Sequence, residues 1–193
     1  MKSIVVFCGS GAGELPVYME QAKLLGASLA QRQLTLVYGG ARVGLMGAVA
    51  DGALQAGGKV IGVLPHFLQQ KELAHKGLTE LILVDTMHER KTKMNELSDG
   101  VITLPGGFGT MEELFEMLTW GQLGLHQKPI GLLNVNGFYD HLIALATTMT
   151  NNGFLSAANQ DRLLHSNNIE QLLQQMEQYQ PSLDIKWISK EQS

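Results

Sequence analysis

The chain has 193 residues, enough for one domain with a full core, and its 45% hydrophobic and 17% charged contents are globular values. A net charge of −4 without any Lys/Arg stripe argues against nucleic-acid binding, so a small anionic ligand has to be held locally, by a few cations and backbone N–H groups. No apolar run is long enough to span a membrane, Ile4–Cys8 is too short for the apolar region of a signal peptide, and Cys8 is the single cysteine; no internal disulfide can form, and a cytoplasmic location is expected.

Apolar runs alternate with helical stretches along the whole chain. Ile4–Cys8 runs into Gly9-Ser10-Gly11-Ala12-Gly13 and then the helical stretch Leu15–Gln31. Leu34–Tyr38 ends in Gly39-Gly40, followed by Gly44-Leu45-Met46-Gly47 and the helix Leu45–Ala56. Val60–Leu64 and Leu81–Val84 are the next two strands, and Met87–Leu97 the next helix. Val101–Leu104 feeds Pro105-Gly106-Gly107-Phe108-Gly109-Thr110 and the helix Met111–Leu123. Ile130–Val135 is the last expected strand; Asn136–Asp140 supplies a turn and the start of the helix Tyr139–Asn151. Most of the strands are continuously apolar, as strands covered on both faces are. The alternation predicts an α/β fold: a Rossmann-like, doubly wound, mostly parallel sheet with helices on both faces. One domain over 1–180 is expected, with a polar tail over 181–193.

In such sheets the ligand lies outside the carboxyl ends of the strands, and that is where three glycine-rich loops fall. Glycines let backbone N–H groups approach a phosphate, and a helix N-terminus adds positive partial charge. The glycine loop after strand one lacks the third glycine of a dinucleotide fingerprint, and strand two ends in Tyr-Gly-Gly rather than in a ribose-binding acid. No Gly-Lys-Ser/Thr follows any glycine cluster, so a Walker A loop is absent as well.

Two helices carry the residues suited to chemistry. Thr86 is placed to cap the first, on which Met87, Arg90, Lys91 and Met94 fall on one face. Arg90 offers a planar fork for phosphate or a sugar hydroxyl, and Lys91 a point charge. On the second, Met111, Leu114, Phe115 and Leu118 are expected to form the core stripe. Glu113, Met117 and Trp120 form another apolar stripe, expected to meet a second subunit. Glu112 and Glu116 are expected to be solvated. Glu113, sharing its face with Met and Trp, would be partly desolvated and its pKa raised, which suits a base or acid near neutral pH. The bland alternative is a first-turn carboxylate stabilised by the helix dipole. The six histidines are scattered, with no metal-ligand spacing, and are expected at the surface or hydrogen-bonded. Ser10 has no nucleophile elbow around it and suits a phosphate or ribose hydrogen bond.

Pro105-Gly106-Gly107-Phe108-Gly109-Thr110-Met111-Glu112-Glu113 matches a PGGxGTxxE motif, and Met87-His88-Glu89-Arg90-Lys91 matches MHxRK. With Cys8-Gly9-Ser10, Tyr38-Gly39-Gly40, Gly44-Leu45-Met46-Gly47, and Pro65 and Glu72 ahead of the Thr79–Asp85 region, the chain resembles the LOG ("lonely guy") family over roughly residues 2 to 180. No motif position departs from the pattern. The resemblance implies a cytokinin riboside 5′-monophosphate phosphoribohydrolase, which hydrolyses the N-glycosidic bond of adenosine 5′-monophosphate, plain or N6-modified, to the free base and ribose 5-phosphate. It implies a homodimer with the site near the subunit interface, no metal and no cofactor. It implies Arg90 and Glu113 as the catalytic pair, and Ser10, Gly39, Gly40, Met87, Lys91, Gly106, Gly107, Gly109 and Thr110 as nucleotide contacts. Many relatives carry an older lysine decarboxylase label, but no clear pyridoxal-phosphate lysine motif is present. Three other readings stay open: a nucleosidase acting on a broader set of nucleoside monophosphates, a nucleotide or cofactor binder without turnover, and an interaction protein using the Met117/Trp120 stripe, which dimerisation would explain equally well.

Overall fold

The computed structural model describes residues 1–69 and 74–181. In chain order its strands are Ser3–Phe7 (β1), Thr35–Tyr38 (β2), Val60–Pro65 (β3), Glu80–Val84 (β4), Gly100–Thr103 (β5), Ile130–Leu133 (β6) and Leu163–Ser166 (β7). The helices are Pro16–Gln31 (α1), Gly44–Gln55 (α2), His66–Gln69 (α3), Met87–Glu96 (α4), Phe108–Gln122 (α5), Asp140–Asn151 (α6), Ala157–Gln160 (α7) and Ile169–Gln178 (α8).

The strands form one sheet in the order β4-β3-β2-β1-β5-β6-β7, and every pairing is parallel. The chain therefore winds outward from β1 in one direction as far as β4, then returns to the other side of β1 and winds outward through β5, β6 and β7. Loops leaving β1 and β5 diverge, and the crevice between them is where such sheets bind ligands. This is the doubly wound α/β architecture that the alternation predicts.

Burial on both faces follows from the residues. On β1, Ile4 and Val6 face one core cluster and Val5 and Phe7 the other, all nearly inaccessible. The first cluster packs under α1, α2 and α8 and the second under α4 and α5. Each such aliphatic side chain contributes about 1.5–3 kcal/mol on leaving water.

Several local expectations are corrected. The sheet has a seventh strand, β7, at its edge; its Leu163-Leu164-His165-Ser166 is half exposed and carries little apolar signal. Helix α8 also lies beyond the expected elements, although Ile169, Leu172, Leu173 and Met176 show helical spacing after the cap Asn168. Strand β6 stops at Leu133, because Asn136 adopts a left-handed φ of 52° within a short 3-10 turn over Val135–Gly137. Helix α5 begins at Phe108, three residues before the expected Met111. Its core line is Thr110, Leu114, Met117 and Gly121, whereas Phe115, expected in the core, is 39% exposed. Met117 is buried in the chain's own core, so the stripe expected to meet a second subunit has its packing partner within the chain. Glu72 and nearly all of the expected polar tail lie outside the described residues.

Candidate functional site

The crevice between β1 and β5 is built from glycine. Gly9 N–H donates to Pro105 O at 3.0 Å, holding the two strand-end loops side by side, and Leu45 N–H donates back to Gly9 O at 3.1 Å. A Cβ on Gly106 would overlap the Thr110 hydroxyl and lie 2.8 Å from Gly9 N, so only glycine allows this approach. Gly44 takes a φ of 55°, and a side chain there would run into Ser10 O. Together with Ser10, Gly11, Tyr18, Gly107 and Phe138, these loops enclose a cleft of about 360 Å³.

One wall of the cleft is the N-terminus of α5. Gly107 is its cap and makes no side-chain cap hydrogen bond; the first intrahelical bond runs from Met111 N–H to Gly107 O. The N–H groups of Phe108, Gly109 and Thr110 precede it and are the helix's free donors, the arrangement that receives an anion. Tyr139 steadies the approach to this loop: its hydroxyl donates to Leu104 O at 2.6 Å. The aromatic rings of Tyr18 and Phe138 meet edge to face beside the cleft, with centroids 6.1 Å apart, and neither was legible as a site residue in the sequence.

Helix α4 is capped as expected. Thr86 Oγ1 accepts from Glu89 N–H at 3.1 Å, and Glu89 Oε2 accepts in return from Asp85 N–H at 2.9 Å. The cap fixes where the first turn points, and Arg90 then runs inward. Its Nε donates to Val63 O within β3 at 3.1 Å, and its Nη1 donates to Glu113 Oε1 at 3.2 Å. Both side chains are almost wholly buried, 10% and 12% exposed. Gly39 makes this possible, since a side chain there would overlap Arg90 Nη2. Gly40, with a φ of 76°, turns the chain away and accepts from His75 N–H at 3.0 Å.

Glu113 lies in the second turn of α5, since the helix begins at Phe108, so a dipole-stabilised first-turn carboxylate does not describe it. Burial pushes its carboxyl above the ordinary value, and the Arg90 charge opposes that shift. It therefore exchanges a proton closer to neutral pH than a solvated glutamate does. The Cys8 thiol, buried at the end of β1, is pushed up chiefly by burial and secondarily by Glu113, which ties the ion pair to the strand that opens the cleft.

Among the other expected site residues, Ser10, Met87, Gly107 and Gly109 are exposed, whereas Gly39, Gly40 and Thr110 are buried. Lys91 differs from expectation in its company: its Nζ donates to Glu112 Oε1 at 2.5 Å and to Glu116 Oε1 at 3.0 Å. Of these two carboxylates, both expected to be solvated, Glu112 is exposed as expected and Glu116 is largely buried against Lys91. Among the histidines, His126 is satisfied within the fold, its Nε2 lying 2.8 Å from Met117 O.

The fold and the site define a doubly wound α/β protein with a glycine-lined cleft at the switch point and, on the helix that opens there, a carboxylate buried against a guanidinium. A family model described as "possible lysine decarboxylase" matches residues 46–176. Cytokinin riboside 5′-monophosphate phosphoribohydrolase LOG7 of Arabidopsis thaliana is 43% identical over 183 residues, covering 95% of this chain and 84% of the relative. The cytokinin riboside 5′-monophosphate phosphoribohydrolase of Rhodococcoides fascians is 49% identical over 170 residues, covering 88% of this chain and 86% of the relative. The chain belongs to the LOG family. The molybdenum cofactor binding protein from Rippkaea orientalis, at 24% identity and a TM-score of 0.70, matches 92% of this chain and 97% of its own, which shows the shared fold.

Proposed function

We propose that this chain hydrolyses the N-glycosidic bond of adenosine 5′-monophosphate or its N6-modified forms, releasing the free base and ribose 5-phosphate. The observation that carries the reading is the buried Arg90–Glu113 pair beside a glycine-lined helix N-terminus. Relatives at 43% and 49% identity bear the name of this activity.

The chemistry fits the residues. Breaking the ribosyl C–N bond develops oxocarbenium character at the anomeric carbon. Glu113 is the carboxylate that stabilises this charge and takes the proton of the attacking water. The water oxygen bonds to the anomeric carbon, and the bonding pair leaves with the base, which is protonated in turn. Arg90, held by Val63 O, orients the Glu113 carboxylate. The free N–H groups of residues 108–110 receive the 5′-phosphate, with Gly106, Gly107, Gly109 and Thr110 shaping that cradle. Binding energy gathered at the phosphate then places the sugar. Ser10 hydrogen-bonds the phosphate or ribose, Met87 flanks the nucleotide, Gly39 gives the space in which Arg90 lies, and Gly40 makes the left-handed turn beside it. A protein that only bound nucleotide would gain nothing from a desolvated carboxylate near an anion.

The test is base release from adenosine 5′-monophosphate and its N6-isopentenyl analogue, compared with adenosine, in wild type and Glu113→Ala. Release from the monophosphates alone, lost in the folded variant, supports the reading. Undiminished release by Glu113→Ala sinks it, and binding without release moves the assignment to a carrier.

The homodimer we propose uses a different surface from the Met117/Trp120 stripe. Helix α6 has no buried residue, and Leu142, Leu145 and Met149 line an apolar groove of about 230 Å³ with Phe115 and Leu118 of α5. Phe154, 84% exposed, borders it. An apolar patch of this kind suits a self-complementary twofold contact, and α5 would join the interface to Glu113. Light scattering should give a dimer for wild type and a monomer for Leu145→Asp. The location we propose is the cytoplasm, where a lone buried thiol stays reduced.

A further inference from the structure

Arg90 and Lys91 are neighbours on α4, and each reaches across to α5. Arg90 meets Glu113, while Lys91 meets Glu112 and Glu116. The Lys91 side chain is only 14% exposed and the Glu116 side chain 19%, so this second link lies largely inside the fold. Two of the three N–H donors of the ammonium are thereby engaged. Its charge is offset before any ligand arrives, and a phosphate brought to it would meet two carboxylates as well. The family resemblance assigns Lys91 to the nucleotide, whereas its Nζ lies on two carboxylates of α5.

Resting on the reading of Glu113 as the reacting carboxylate, we propose that Lys91 and Glu116 are positioning residues, which lock α4 to α5 so that Glu113 is held against Arg90, and that Lys91 is not a phosphate ligand. The two links run side by side: Glu112, Glu113 and Glu116 occupy one stretch of α5, opposite consecutive residues of α4. The charged and titratable groups facing Glu113 are Arg90 and Lys91 from α4, Glu112 and Glu116 from α5, and the Cys8 thiol at the end of β1. Beyond burial and the opposing Arg90 charge, Glu112 and Glu116 raise the Glu113 pKa and Lys91 lowers it. The link thus bears on where Glu113 sits and on when it ionises.

The test compares wild type with Lys91→Met, Lys91→Arg and Glu116→Gln, by carbon NMR titration of the Glu113 carboxyl and by steady-state kinetics on adenosine 5′-monophosphate. Lys91→Met should move the Glu113 titration to higher pH and Glu116→Gln to lower pH. In both, kcat should fall about tenfold or more while KM changes less than about threefold. Lys91→Arg, which keeps the charge and reaches the same carboxylates, should restore most of kcat. A phosphate ligand would give the opposite pattern: KM raised about tenfold or more with kcat held in Lys91→Met, and KM lowered in Glu116→Gln because the cation is freed. That pattern overturns the proposal, as does a Glu113 titration indifferent to both substitutions. Should wild type release no base from any monophosphate, the function proposed above falls, and the titration alone decides this inference.

Discussion

Gly39 and Arg90 compete for one volume: the Arg90 guanidinium lies where a Cβ on residue 39 would stand. Gly39 is at the end of β2 and Arg90 on α4, so the contact joins two elements separated by β3. Gly39→Ala should displace the guanidinium from Val63 O and from Glu113 together. A destabilisation of about 1–3 kcal/mol is expected from overpacking, with a loss of turnover approaching that of Arg90→Ala. Denaturant unfolding and base-release kinetics check both halves.

Arg90→Lys keeps the charge and loses the fork. One ammonium on a flexible stem cannot reproduce the directions of Nε toward Val63 O and Nη1 toward Glu113 Oε1. Turnover should fall by roughly two orders of magnitude, as for a mispositioned catalytic group. Single-turnover measurements would separate this from a binding defect, because affinity for the monophosphate should change little.

Tyr139→Phe removes the hydroxyl that donates to Leu104 O at 2.6 Å. A buried carbonyl then lacks that partner, at a cost of about 1–3 kcal/mol. Leu104 precedes the glycine turn, so the loosened loop should raise KM for the monophosphate more than it lowers kcat. A lower kcat with unchanged KM would contradict this account.

His126 gives the fold a pH dependence with a definite sign. Burial lowers its pKa from 6.5 to about 4, although the contact with Met117 O opposes the shift. Its Nδ1 accepts from Lys128 N–H at 3.1 Å, which requires the neutral ring. Between pH 6.5 and about 4 the unfolded chain therefore binds a proton that the folded chain refuses. Its stabilisation is complete above pH 6.5 and is lost as the pH falls toward about 4. The loss should total roughly 3 kcal/mol. Thermal melts of wild type and His126→Gln over this range should converge at low pH; a wild-type curve as flat as the variant's would refute it.

The parallel sheet and the glycine loops at its edge were legible in the chain, because strands covered on both faces must be apolar throughout and turns of this tightness require glycine. The cap at Thr86 and the desolvation of Glu113 followed from local spacing as well. The seventh strand was not legible, since an edge strand is half solvated and Leu163–Ser166 has too few apolar residues to stand out. Which face of α5 enters the core was decided by how the helix packs on the sheet, which turns Thr110, Leu114 and Met117 inward and leaves Phe115 exposed. The partners of Lys91 were hidden for a related reason: a cation is compensated by whichever helix packs against its own, and linear spacing does not record that neighbour. Sequence by itself determined which residue types this protein has for holding an anion and moving a proton. Only the tertiary structure brought Gly39, Val63, Arg90 and Glu113 together, because they come from four elements and meet only when β2, β3, α4 and α5 pack.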